Sequence, residues 1–233
     1  MLKLLICDFD DTLVDELKFV ESGFVECARV FAPQFPNLGT SGLLNLFRHE
    51  FAVSRSGVFD RAFGSIGGSN AETLAARAVD TYRYHRPNIA YNEDVKPFLA
   101  EAERRGLHTA IITDGNAKTQ RNKLEAAGAF ADFEKAVITA EHGGNWGKPS
   151  PLPFECLKDF FGIDYSEMLY IGDNPKKDFA MKKYIPINTA RIIRPDGIYK
   201  NEPYLWDIRE DATISALPEI FKTDLFKVQP KWE

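Results

Sequence analysis

Hydrophobic positions along this chain fall into two rhythms. Five short runs, at residues 2–9, 107–113, 135–140, 168–172 and 189–194, are nearly continuous in apolar residues, with Leu, Ile and Val prominent. Unbroken apolarity, rather than alternation, is the pattern of strands in a parallel sheet covered on both faces. Between these runs the spacing turns helical. Residues 94–105 place Val95, Phe98, Leu99 and Ala102 on one face and stop at Gly106, and residues 118–127 stop at Gly128. Residues 151–161 follow Ser150 as a predicted N-cap, with Pro151 at the first helical position and Gly162 as the stop. Strands alternating with helices predict an α/β, Rossmann-like parallel sheet with right-handed crossovers.

Residues 14–89 break the rhythm. Leu17, Val20, Phe24, Ala28 and Phe31 recur at helical spacing, as do Leu43, Leu44, Phe47 and Phe51, then the shorter set Phe59, Phe63 and Ile66. Ser69-Asn70-Ala71-Glu72 starts a fourth predicted helix carrying Leu74, Ala78, Val79 and Tyr82. The chain is therefore expected to divide into a core of residues 1–13 and 90–233 and a helical insertion of residues 14–89.

Composition narrows the partners. The 233 residues are 44% hydrophobic and 27% charged, ordinary values for a globular protein and wrong for a disordered chain. A net charge of −5 with no basic tract argues against a nucleic-acid partner. The longest apolar runs are about four residues, against roughly 18 for a membrane span, so no membrane partner is expected. Met1–Phe9 lacks the make-up of a signal peptide, and Cys7, Cys27 and Cys156 form neither a CxxC pair nor an even set. Reduced thiols in a cytoplasmic protein are the expectation. Tyr199, Tyr204 and Trp206 in the tail leave monomer and homodimer open.

Four signals carry chemistry, each at a predicted strand end or just before a helix. The first strand runs into Asp8-Phe9-Asp10-Asp11-Thr12. If strand geometry persists, Asp8 and Asp10 face one side, and paired carboxylates there call for a hard cation or a proton. Alternatively, Asp10 and Asp11 cap the next helix or form a turn. Thr113-Asp114-Gly115-Asn116 ends the second strand, offering a hydroxyl and backbone N–H groups to a phosphate, or an ordinary capped turn. Gly147-Lys148-Pro149-Ser150 holds a Lys before a helix, where its ammonium can meet an anion or simply face solvent. Gly172-Asp173-Asn174-Pro175-Lys176-Lys177-Asp178 supplies a further carboxylate where ligands bind in open α/β sheets.

In this joint order the signals resemble the four motifs of the haloacid dehalogenase (HAD) superfamily of phosphohydrolases, and the resemblance covers essentially the whole chain. The helical insertion is similar to the family's C1 cap. The resemblance implies an HAD-like core and a Mg²⁺-dependent phosphomonoester hydrolase working on a small phosphate ester, a sugar phosphate or a nucleotide. Carried over, Asp8 is the nucleophile that forms an aspartyl-phosphate, and Asp10 is the general acid and base. Thr113, the Asp114 and Gly115 amides and Lys148 bind the transferring phosphoryl group. Mg²⁺ is held by the Asp8 carboxylate, the Asp10 carbonyl and the Asp173 carboxylate, with Asp178 supporting the metal's waters or Lys148. Family dehalogenases lack an acid at the Asp10 position, because a halide needs no proton. A phosphomutase on the same scaffold, or a phosphate-ligand-binding protein without turnover, are the alternatives.

The run from Thr113 to Gln120 is similar to the branch holding N-acylneuraminate-9-phosphatases and pyrimidine nucleotidases. That branch reads Thr-Asn-Gly, so Asp114 departs from it and brings a negative charge toward a bound phosphate. Substrate selection is expected from the cap, with Arg55, Arg61, Ser69, Asn70 and Arg86 as candidates.

Overall fold

A computed structural model describes residues 1–227. Its sheet is built from β1 (Leu4–Cys7), β2 (His108–Thr113), β3 (Lys135–Ile138), β4 (Met168–Gly172), β5 (Asn188–Ile192) and β6 (Ala212–Ile214). The strands lie in the order β3-β2-β1-β4-β5-β6, and every pairing is parallel. The five predicted strands are all present. The sixth, β6, is a three-residue edge strand whose Ala-Thr-Ile is too short to register as a periodic run. Predicted ends also move inward: β1 starts at Leu4 and β5 stops at Ile192. Ladder pairing on β1 stops at Cys7, and β3 gives way at Thr139 to a 3-10 turn, Thr139–Glu141.

Both faces of the sheet are buried, which is why its strands lack alternation. Leu4, Ile6, Ala110, Ile112, Met168 and Tyr170 point to one side, packed with Phe154, Leu157 and Met181. Leu5, Cys7, Ile111, Leu169 and Ile171 face the other and are equally inaccessible. The core helices are α5 (Val95–Arg104), α6 (Ala117–Ala127), the short α7 (Ala129–Asp132) and α8 (Leu152–Phe161), numbered after the four of the insertion. Gly128 and Gly162 end α6 and α8 in the left-handed conformation that only glycine adopts freely. At the start of α8 the N-cap is Pro151, not Ser150. The Ser150 hydroxyl still accepts a 3.4 Å contact from the Leu152 N–H, the first of the helix.

The chain forms two compact units, residues 1–16 with 90–233, and residues 17–89. The second contains most of α1 (Glu16–Phe31), with α2 (Gly39–Val53), α3 (Val58–Ile66) and α4 (Ala71–Tyr84). Its own core is aromatic. Phe47 is fully buried, with its ring centroid 5.2 Å from Phe59, 5.8 Å from Phe63 and 6.0 Å from Phe24. Arg61 is spent inside this unit: it pairs with Glu50 and donates to the carbonyls of Glu50, Ser54 and Ser56. Among the described residues no helix is long and apolar enough to cross a membrane.

Candidate active site

The register puts Asp8, Asp114 and Asp173 each one residue beyond the carboxyl end of β1, β2 and β4. The Asp8 N–H still bonds to Ile171 O at 2.8 Å, so the nucleophile candidate is anchored although the ladder has ended. Asp11 then turns the chain at φ +52. Its carboxylate accepts the Glu16 N–H at 3.0 Å and the Ile198 N–H at 3.0 Å, so the capping role open in the sequence falls to Asp11 and not to Asp10.

Lys148 is the hub. Its ammonium, wholly inaccessible, lies 2.9 Å from Asp8 Oδ1, 2.9 Å from Asp178 Oδ1 and 2.7 Å from the Tyr170 hydroxyl. Burial opposes its charge, but the carboxylates of Asp178, Asp8 and Asp114 outweigh that and raise its pKa. Asp178 is held by the protein at both oxygens: Lys148 and the Tyr170 hydroxyl meet Oδ1, and the Asn174 N–H donates to Oδ2 at 2.9 Å. Gly172 makes room for this side chain, since a Cβ there would stand 2.6 Å from Asp178 Oδ2.

Asp8, Asp173 and Asp178 bring carboxylate oxygens within 4.8 Å of one another. Burial and then Lys148 act on Asp8 in opposite senses and leave it pushed up to about 6. Asp173 is pushed further, to about 9, by burial and by the Asp178 and Asp8 charges. Its Oδ2 is buried without a hydrogen-bond partner. A buried carboxylate with an open oxygen, beside a second carboxylate, lacks a counter-charge, and all-oxygen donors suit a hard divalent cation. The residues present therefore fit Mg²⁺.

The charge introduced by Asp114 is neutralised within the fold. Burial opposes its ionisation, yet Lys148 and Lys177, with hydrogen bonds from the Thr139 hydroxyl at 2.8 Å and the Lys148 N–H at 3.2 Å, hold it below the usual carboxylate range. Lys177 Nζ lies 3.3 Å from Asp114 Oδ2. The α6 N-cap is Asn116, whose side chain accepts from the Thr119 N–H at 3.1 Å. A cavity of about 220 Å³ opens on these groups, lined by Asp8, Asp10, Asp114, Gly115 and Asp173, and also by Glu16, Lys177 and Tyr199.

The structure thus joins Asp8, Lys148 and Asp178 in one contact network, brings Asp173 within 4.8 Å of both acids, and sets Asp114 and Gly115 on the same cavity as Asp8 and Asp173. The Thr113 hydroxyl is buried and accepts from the Gln120 amide. Asp10 lines the cavity beside Asp8, and its carboxylate is held by Gln120 and Lys123. Trp146, next to the motif Lys, is partly buried and stacked on His142 at 4.1 Å. Sequence reasoning missed Tyr170, Gln120, Lys123, Lys177, Glu16 and Tyr199. The available signal was polar residues on inward faces: Gln120 and Lys123 sit three apart on α6, beside the buried Leu124. Tyr199 was legible only as part of an aromatic tail, with no signal for the cavity it lines. It is delivered by a loop whose carbonyls, Tyr199 O and Lys200 O, are held at 3.0 Å by the buried Arg191.

A strand-end carboxylate held by a buried Lys, with further buried acids beyond β4, is the arrangement of one hydrolase class, and the family profile for haloacid dehalogenase-like hydrolases matches residues 2–184. The chain belongs to that family. It is 28% identical to a phosphoserine phosphatase of Thermus thermophilus, over 94% of this chain and 98% of the relative. It is 28% identical to the N-acylneuraminate-9-phosphatase of Rattus norvegicus over 48% of this chain and 44% of the relative. Among solved structures, a HAD-superfamily hydrolase of subfamily IA from Geobacter sulfurreducens shares the fold with a TM-score of 0.68 at 15% identity, over 97% of each chain.

Proposed function

We propose that this hydrolase is a Mg²⁺-dependent phosphomonoesterase that cleaves a small phosphate ester, a sugar phosphate or a nucleotide, through an aspartyl-phosphate on Asp8. The observation that carries the proposal is the Lys148 hub: one buried ammonium 2.9 Å from Asp8 and 2.9 Å from Asp178. It holds Asp8 in place and offers positive charge where a phosphoryl group would approach.

Asp8 attacks phosphorus, and the ester oxygen leaves with a proton from Asp10. Water then cleaves the acyl phosphate while Asp10 takes its proton, so one carboxyl group serves both halves. Lys148 and the Asp114 and Gly115 amides hold the phosphoryl oxygens, with Thr113 reaching them by its hydroxyl. Asp8, Asp173 and the Asp10 carbonyl would hold Mg²⁺, which supplies charge neutralisation between anionic nucleophile and anionic substrate. Asp178, held by Lys148, Tyr170 and Asn174, positions the Lys.

Asp10 favours phosphoryl transfer over dehalogenation, because an alkoxide leaving group needs a proton and a halide does not. The relatives named above are phosphatases of different esters, which supports the reaction class and leaves the alcohol open. Residues 17–89 occupy the family cap's place in the chain, and we assign them the choice of alcohol. The free thiols suit a cytoplasmic setting. The test is Mg²⁺-dependent phosphate release from a panel of phosphosugars, nucleotides, phosphoserine and acylneuraminate 9-phosphate, with Asp8→Asn beside each. Turnover that disappears in Asp8→Asn is expected, and turnover that persists there would overturn the assignment.

A further inference from the structure

The Asp10 carboxylate is held at both oxygens by one helix. Lys123 Nζ lies 2.8 Å from Oδ1, and Gln120 Nε2 donates to Oδ2 at 2.9 Å. An amide nitrogen carries two hydrogens, and the Gln120 amide also meets the Thr113 hydroxyl. Gln120 is 2% and Lys123 3% exposed. Burying a Lys beside a carboxylate seldom adds stability over an apolar pair of similar volume, so its presence on the inner face of α6 asks for another reason. A carboxyl group that must deliver a proton to one oxygen and later collect one from a water needs a fixed plane. An unrestrained Asp turns about two bonds, and misplacement by about 1 Å can lower a rate by on the order of 100-fold.

We propose that Gln120 and Lys123 are positioning residues that lock the Asp10 carboxylate in the orientation for proton transfer. The proposal rests on the phosphatase mechanism above. In the first half-reaction the Asp8 oxygen–phosphorus bond forms, the ester oxygen–phosphorus bond breaks, and the Asp10 proton goes to the departing oxygen. In the second, the water oxygen bonds to phosphorus, the Asp8 oxygen–phosphorus bond breaks, and a water proton returns to Asp10. Ester and water become alcohol and phosphate. Each carboxylate oxygen has two acceptor sites, so the clamp leaves room for the travelling proton.

Two esters of similar ring size separate orientation from folding. p-Nitrophenyl phosphate releases a stable phenolate that needs no proton, whereas benzyl phosphate releases an alkoxide that does. Because kcat/KM reports the steps through Asp8 phosphorylation, it isolates the acid role. Lys123→Met and Gln120→Met are each expected to lower kcat/KM for benzyl phosphate by roughly 10- to 100-fold, while p-nitrophenyl phosphate moves by less than about threefold. Gln120→Met carries the test alone if Lys123→Met does not fold. Equal falls on both esters would show that the pair only docks α6, and no fall on benzyl phosphate would show that it does nothing for Asp10. Either overturns the proposal. Asp10→Asn runs in parallel. If it spares benzyl phosphate, the acid assignment itself fails and the clamp with it.

Discussion

If Asp173 is a Mg²⁺ ligand, as proposed, the metal would enter only when this carboxyl gives up its proton. Burial and the Asp178 and Asp8 carboxylates push Asp173 up to about 9. At pH 7 the group stands two pH units below that value, and at about 1.4 kcal/mol per unit its deprotonation costs about 3 kcal/mol. Apparent Mg²⁺ affinity should therefore be on the order of 100-fold weaker at pH 7 than near pH 9, rising about tenfold per pH unit between. Binding near neutral pH should release about one proton. Titration calorimetry of the metal-free protein, repeated in buffers of different ionisation enthalpy, reads both quantities. The same proton sets stability. Because the folded carboxyl binds its proton more tightly than an unfolded Asp, whose ordinary pKa is 3.8, the metal-free fold is favoured at low pH and loses stability as pH climbs toward 9. Saturating Mg²⁺ should remove that loss. An affinity flat between about pH 6 and pH 9, with no proton released, would refute the claim that Asp173 is a buried, charge-starved ligand.

Three further outcomes follow from the same geometry. Asp173→Asn should abolish Mg²⁺ binding yet raise the thermal midpoint of the metal-free protein above about pH 8, because it removes a carboxyl whose ionisation burial opposes first and the Asp178 and Asp8 charges second; scanning calorimetry reads it. Gly172→Ala places a Cβ 2.6 Å from Asp178 Oδ2, so Asp178 must shift off Lys148; kcat should fall at least about tenfold, with about 1–3 kcal/mol of lost stability in denaturant titration. Phe47→Ala empties the aromatic core of residues 17–89 and should cost about 3–5 kcal/mol there, read as faster hydrogen exchange across α2 and α3 than in the sheet.

Much of the fold was legible because burial on both faces writes itself into sequence as unbroken apolar runs. β6 escaped because three residues at a sheet edge leave no period to read. Within the site, position marked Asp114 and Asp173 just past predicted strand ends and Asp8 inside the predicted run 2–9, and the family resemblance supplied their roles; in the structure they follow β2, β4 and β1. The division of labour between Asp10 and Asp11 could not, since it depends on the positive φ at Asp11 that sends one carboxylate to the Glu16 and Ile198 amides and the other to α6. Gln120, Lys123 and Tyr170 are polar groups in places the apolar pattern reserves for core. Their roles appear only when the helix and strand bring them against Asp10 and Lys148. Asp114 shows the converse. It read as a hazard to phosphate binding, and the fold disarms it with Lys148, Lys177 and Thr139.

The central claim is that Asp8 carries the phosphoryl group between the ester and water. Its most direct test is an acid quench of the enzyme during turnover of p-nitrophenyl phosphate with Mg²⁺, followed by peptide mass spectrometry. A phosphate on the peptide spanning Asp8, absent in Asp8→Asn and lost when the quenched protein is treated with hydroxylamine, is the predicted result. Steady phosphate release with no phosphate trapped on that peptide, or the same label in Asp8→Asn, would contradict it.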